Sequence, residues 1–138
     1  MVKSKKPNGP VSRPFKPRIW RLYGSGYIST DVLEEQIMEK GGEVLLLPVY
    51  DEKVEGKKII VYGVFYKTAA GEYFDVLNQR LGILRNYITE KAAVKFLHSF
   101  AENCGKQYLS AVLPALTHES VIKPGELRER YIAAKLAE

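Results

Sequence analysis

Two histidines, one cysteine, sixteen carboxylates and nine tyrosines are the side chains with which this 138-residue chain could do chemistry. Their spacing argues against most of it. His98 falls on a helical pattern but off its apolar stripe, and His118 sits beside Glu119 in a loop-like stretch. A zinc site needs three or four converging ligands, and neither histidine has a spaced third partner, so no metal is expected. Cys104 lies six residues from His98, on a different side of the same predicted helix, which is poor geometry for an activated thiol. Asp51, Glu52 and Glu55 cluster near Lys57, the grouping a metal-dependent nuclease would want, but they fall in a predicted hairpin turn, where polar residues are ordinary. Gly24-Ser25-Gly26 is too short for a phosphate loop and is followed by no Gly-Lys-Ser or Gly-Lys-Thr. No activated group can be named, so the expectation is a protein without catalytic residues, cofactor or small-molecule substrate.

Charge placement points instead to recognition. The net charge is +5, yet the first 21 residues hold seven cations and no acid: Lys3, Lys5, Lys6, Arg13, Lys16, Arg18 and Arg21. The rest of the chain carries 14 cations against all 16 acids. The same leader contains Pro7, Pro10, Pro14 and Pro17, which exclude a helix or central strand and favour extended conformations. A flexible basic arm over 1–21 and one domain over 22–138 are therefore expected. Such an arm gains affinity for phosphates by counterion release, and could equally contact an acidic protein or membrane surface. Aromatic residues interleave with cations in the strand-like segments. Tyr62 and Tyr66 share one strand face by the period-two rule, with Lys58, Arg80 and Arg85 bordering it. An open face of that kind would stack bases and pair phosphates, so single-stranded DNA or RNA is the expected partner. The alternative for each tyrosine is the core, where aromatics usually go.

The elements that must position these residues read as follows. Ser29, Thr30 and Asp31 offer helix-capping chemistry, with Asp31 and Glu34 spaced like a capping box, and Gly41-Gly42 ends a helix over about 30–41. Val44–Tyr50 is strand-like, with Pro48 demoting it to an edge or a bulge. Asp51–Gly56 is a turn. Lys58–Lys67 is the strongest strand signal, and Gly63 within it suggests a bulge or sharp coil. Thr68–Gly71 is a hairpin loop and Tyr73–Leu77 a further strand. Arg80–Ile88 fits an alternating strand and a helical stripe almost equally, and a fourth strand is favoured. Thr89 caps a helix over about 90–104, with Ala93, Phe96, Leu97, Phe100 and Cys104 on one face and Gly105 as its stop. Tyr108–Leu113 reads as short helical or buried chain interrupted by Pro114. A last helix begins near Pro124, with Leu127, Tyr131 and Ala134 on one side.

The fold class is therefore α+β: an antiparallel meander of three or four strands packed against an amphipathic helix, preceded by a short helix and followed by C-terminal helices. Three or four antiparallel strands (Val44–Tyr50, Lys58–Lys67, Glu72–Asn78, Arg80–Ile88) followed by a threonine-capped helix (Thr89–Cys104) resemble the Whirly and transcriptional-coactivator type of single-stranded-DNA-binding fold. The resemblance covers about 60 residues at the level of pattern. It implies a helix behind the sheet that often joins subunits, and a sheet whose face and edges meet nucleic acid. The helix at 30–41 has no counterpart in it. One cysteine and no bilayer-length apolar run imply a reducing, cytoplasmic setting and no membrane contact. The competing expectation is an oligomeric interaction or assembly protein, such as a viral, mobile-element or regulatory adaptor, whose arm contacts another protein chain. A homo-oligomer is expected on either account.

Overall fold

The computed structural model describes residues 22–51, 59–78, 83–110 and 113–138. The fold is α+β. Its strands are β1 (Gly26–Ser29), β2 (Glu43–Tyr50), β3 (Ile60–Lys67), β4 (Tyr73–Asn78), β5 (Ile83–Leu84) and β6 (Asn86–Tyr87). Its α-helices are α1 (Thr30–Lys40), α2 (Glu90–Cys104) and α3 (Glu126–Leu136), with single 3-10 turns at Lys106–Tyr108 and His118–Ser120.

The expected meander is present. β2 pairs antiparallel with β3 in unbroken register from Glu43 opposite Lys67 to Tyr50 opposite Ile60, and β3 pairs with β4 over Phe65–Lys67. The loop between β3 and β4 closes through Gly71 N–H to Thr68 C=O at 2.9 Å and Glu72 N–H to Thr68 Oγ1 at 3.1 Å. An additional strand changes the topology. β1 lies parallel to β4, Gly26 opposite Phe74 through Ser29 opposite Leu77, so the sheet order is β1-β4-β3-β2 and α1 carries the chain from one edge to the other. The chain at Tyr23 and Gly24, leading into β1, is held in place by a buried carboxylate. Asp75 Oδ2 accepts from Tyr23 N–H and Oδ1 from Gly24 N–H, both at 2.9 Å. A carboxylate buried on β4 is tolerated because ionised oxygens form strong bonds to backbone amides.

β3 and β4 pair at one end and part at the other, and the chain from Ile83 to Tyr87 is inserted between them. β5 pairs with β4 and β6 with β3. Arg85 joins the two sides through its backbone: its N–H donates to Val76 C=O at 2.8 Å and its C=O accepts from Val64 N–H at 3.1 Å. The described part of 80–88 is thus extended, as favoured, but it is two short strands forming a wedge rather than a fourth meander strand. Gly63 follows from this packing and marks no bulge, since it stays in register opposite both Leu47 and Asn86. A Cβ there would meet Leu84 Cδ2 at 2.9 Å, Val49 Cγ2 at 3.0 Å and Phe65 Cε2 at 3.1 Å.

Strand alternation sorts the core into two layers. Tyr62, Val64 and Tyr66 of β3 join Val44 and Leu46 of β2 under Leu33 and Ile37 of α1 and Ala93 and Phe100 of α2. Val61 and Phe65 point the other way, to Val49, Leu77 and Leu84, and are covered by Tyr23, Ile122 and Leu127 at the start of α3. Both faces of the sheet are therefore buried. α1 is capped by Ser29, whose Oγ accepts from Val32 N–H at 3.5 Å, so Asp31 sits in the first turn and is not the capping residue. α2 is capped by Thr89, as its spacing predicted, with Ala92 N–H to Oγ1 at 3.1 Å, and ends at Gly105, where φ is 118°. α3 starts after Gly125 in the left-handed region, so Pro124 precedes the cap instead of occupying the first turn. Tyr108–Leu113 is not a helix in its described part. After the 3-10 turn, Leu109 bridges Val44 in parallel and Ser110 N–H donates to Val44 C=O at 2.9 Å.

Candidate interaction surface

The aromatic platform expected on β3 is not on the surface. Tyr62 and Tyr66 do share a strand face, but they are only 8% and 1% exposed. Tyr66 stacks on Phe74 with ring centroids 6.5 Å apart, and its hydroxyl donates to Gly41 C=O at 2.8 Å. Burial also raises the pKa of that hydroxyl. Tyr62 lies in the same core layer, opposite Pro48 and Tyr87. The physical reason is the second layer of helices: once α1 and α2 cover this face, its rings are core and cannot stack on bases.

Arg85 is half-buried and turned inward. Its Nη1 donates to the Tyr87 hydroxyl at 3.2 Å, and its guanidinium lies 5.8 Å from the centroid of Phe96 on α2. It serves the packing of α2 on the wedge, whereas the sequence placed it on an open phosphate-binding face. Lys58, Arg80 and the arm cations Lys3, Lys5, Lys6, Arg13, Lys16, Arg18 and Arg21 lie outside the described residues, as do Glu52, Glu55 and Lys57.

The candidate chemical groups do not converge. Asp51 and Asp75 are buried, His98 is exposed on α2, and His118 Nδ1 lies 3.1 Å from the Tyr50 hydroxyl. Cys104 is half-buried, and its thiol is pushed up in pKa, first by burial and second by the charge of Glu34. Among the described residues no group of three or more His, Cys, Asp or Glu side chains is placed to hold a metal ion, and no helix is long and apolar enough to cross a membrane.

Among the described residues, one sheet edge is covered and the other has no further strand beside it. The outer side of β2 is covered by the chain's own C-terminal part: Leu109 and Ser110 at Val44, and Ile122 N–H to Pro48 C=O at 2.8 Å. Pro48 itself blunts that edge, as its position suggested. No strand among the described residues pairs on the outer side of β1. Thr68 N–H donates to Glu72 C=O and Arg85 N–H to Val76 C=O, each at 2.8 Å, so the even-numbered residues of β4 face β3 and the wedge, while Tyr73, Asp75 and Leu77 turn their main-chain groups toward β1. With Gly26 opposite Phe74 and Ile28 opposite Val76 in the parallel register, Gly26 and Ile28 direct their N–H and C=O groups toward β4. Beside this edge lies a groove of about 320 Å³ walled by Tyr27, Val32, Gln36, Phe74 and Leu77. Tyr27 is 45% and Val32 41% exposed, an unusual apolar presence next to a strand edge. α1 also carries three exposed acids, Asp31, Glu35 and Glu39, at helical spacing. A second, shallower groove of about 350 Å³ runs along α2 past Val94, Leu97 and Ala101, and it is rimmed by His98 and Lys106.

Comparison with protein-family models, with curated proteins and with solved structures finds no match.

Proposed function

We propose that this chain is a non-catalytic interaction and assembly protein that accepts an apolar segment of another polypeptide in the groove beside β1 and α1. The observation that carries this reading is the apolar groove walled by Tyr27, Val32, Gln36, Phe74 and Leu77, in which Tyr27 is 45% and Val32 41% exposed. Apolar side chains that enter such a groove supply affinity, and the few polar groups around it fix their orientation. A reducing, cytoplasmic setting goes with this reading, since the single thiol needs no partner. The test is selection from a displayed library of ten-residue peptides. Recovered binders should be apolar at several positions and lost on Val32→Glu, which places a charge on the exposed wall of the groove. They should persist on Arg130→Ala, at the far side of α3. Binders indifferent to Val32→Glu, or none at all, refute the reading.

A second reading rests on the seven cations and no acids of residues 1–21: contact with single-stranded nucleic acid through the arm alone, without base stacking on the sheet. Fluorescence anisotropy with labelled DNA and RNA strands tests it. Affinity that falls steeply with salt supports it, and no binding at low salt eliminates it.

A further inference from the structure

We infer that the groove along α2 is a homodimer interface, in which α2 of a second copy lies antiparallel across it about a two-fold axis near Leu97. The inference goes beyond the peptide-binding reading and does not depend on it.

Helical arithmetic sets out what surrounds the groove. Ala93 and Phe100 point into the core, and Val94, Leu97 and Ala101 form a half-buried stripe beside them. Asn103 lies about 200° round the helix from Ala101. It donates to Glu34 of α1 at 3.0 Å, so α1 occupies the other flank of α2. Leu109, held beside β2 by its bridge to Val44, forms the second wall. The groove therefore has aliphatic walls and lies at the β2 side of the sheet, whereas Tyr27 is on β1 at the other side.

The charges around it choose the occupant. Glu90, Lys91, Glu102 and Lys106 are exposed, and none has an ion-pair partner among the described residues. An acid and a base stand at each end, so a partner of uniform sign meets repulsion as well as attraction. A reversed copy of the same helix meets attraction at both ends. Lys91 and Glu102 lie within about 20° of each other around the helix. In an antiparallel pair each flank faces its own counterpart, so Lys91 meets Glu102 of the second copy, and the two-fold axis repeats the pair. Glu90 heads the apolar stripe, four residues before Val94, and Lys106 rims the far end of the groove, so reversal also sets Glu90 against Lys106. Both charge pairs, and the fit of Val94 against Ala101, centre the axis within one residue of Leu97. The small Ala101 side chain lets the helices approach to the usual separation of about 8–10 Å. Lys95 lies about 120° from the stripe, outside this contact.

Sedimentation velocity of the full chain tests the inference. The wild type should show a concentration-dependent equilibrium between monomer and dimer. Lys91→Glu should weaken association by about tenfold, as should Glu102→Lys, since each turns two attractive pairs into repulsive ones. Neither should harm the fold, because an acid in the first turn of a helix and a base in its last turn both suit the helix dipole. The two substitutions together should restore dimerisation. His98→Cys in a Cys104→Ser background should be joined into a covalent dimer by a short bis-maleimide, because His98 flanks the axis, while Arg130→Cys in that background should not. A wild type that stays monomeric to its solubility limit, association indifferent to both reversals, or a double reversal that fails to restore it overturns the inference. Self-association that Val32→Glu abolishes and the α2 reversals leave intact would run through the groove at Tyr27, and overturns it too.

Discussion

Replacing Asp75 with alanine should cost about 3–5 kcal/mol of folding free energy. The residue is 1% exposed, and its two carboxylate oxygens accept from Tyr23 and Gly24 N–H at 2.9 Å. Hydrogen bonds to a charged group contribute about 1.5–3 kcal/mol each, and two are lost together. Tyr23 and Gly24 are buried, so their amides are left without the carboxylate in a place where water replaces it poorly. With a urea slope of about 2 kcal/mol/M, the midpoint should fall by about 2 M. Asp75→Asn keeps one acceptor of the same shape and should lose about half as much. Urea titration followed by far-ultraviolet circular dichroism gives both numbers. A midpoint shift under about 0.5 M for the alanine variant would refute the reasoning, because the clamp would then be incidental to the attachment of β1.

Gly63→Ala should destabilise by about 1–3 kcal/mol in a thermal melt, since the new methyl group meets Leu84, Val49 and Phe65 at 2.9–3.1 Å. Tyr66→Phe should cost about 1 kcal/mol through loss of the bond to Gly41 C=O. Burial raises the Tyr66 pKa in the folded state, so its contribution is intact below the unfolded tyrosine value of about 10 and is lost as pH rises through the higher folded value. Tyr66→Phe should therefore lose less stability than wild type between neutral pH and pH about 11, read by urea midpoints at each pH. Cys104 should react with a thiol reagent at pH about 8 several-fold more slowly than a free cysteine, because burial and Glu34 hold it protonated; equal rates in native and urea-unfolded protein would contradict this.

Much of the fold is legible where a pattern is long. α2 has its cap, stripe and stop within the chain from Thr89 to Gly105, and the bounds read from them agree with the structure. β2, β3 and β4 carry β-branched and aromatic runs between turn residues, and they pair as an antiparallel meander. β1 was hidden because Gly-Tyr-Ile-Ser is short and glycine-led, and what makes it a strand is Asp75, fifty residues away. The wedge at Ile83–Tyr87 was hidden for the opposite reason: its register is set on both sides by strands distant in sequence. The largest departure concerns Tyr62 and Tyr66. Alternation placed them on one face correctly, but whether that face met water depended on α1 crossing the sheet, which follows from β1 and is not written near either tyrosine.

The wedge has a mechanical consequence. Only Ile88 and Thr89 separate β6 from the first turn of α2, and Arg85 reaches across to Phe96 on that helix. Helix and wedge are therefore coupled like a key and its bit. A force applied along α2 is delivered at the point where β3 and β4 diverge, and it acts there to unzip Val64 from Arg85 and Arg85 from Val76 in sequence, instead of shearing the whole sheet at once.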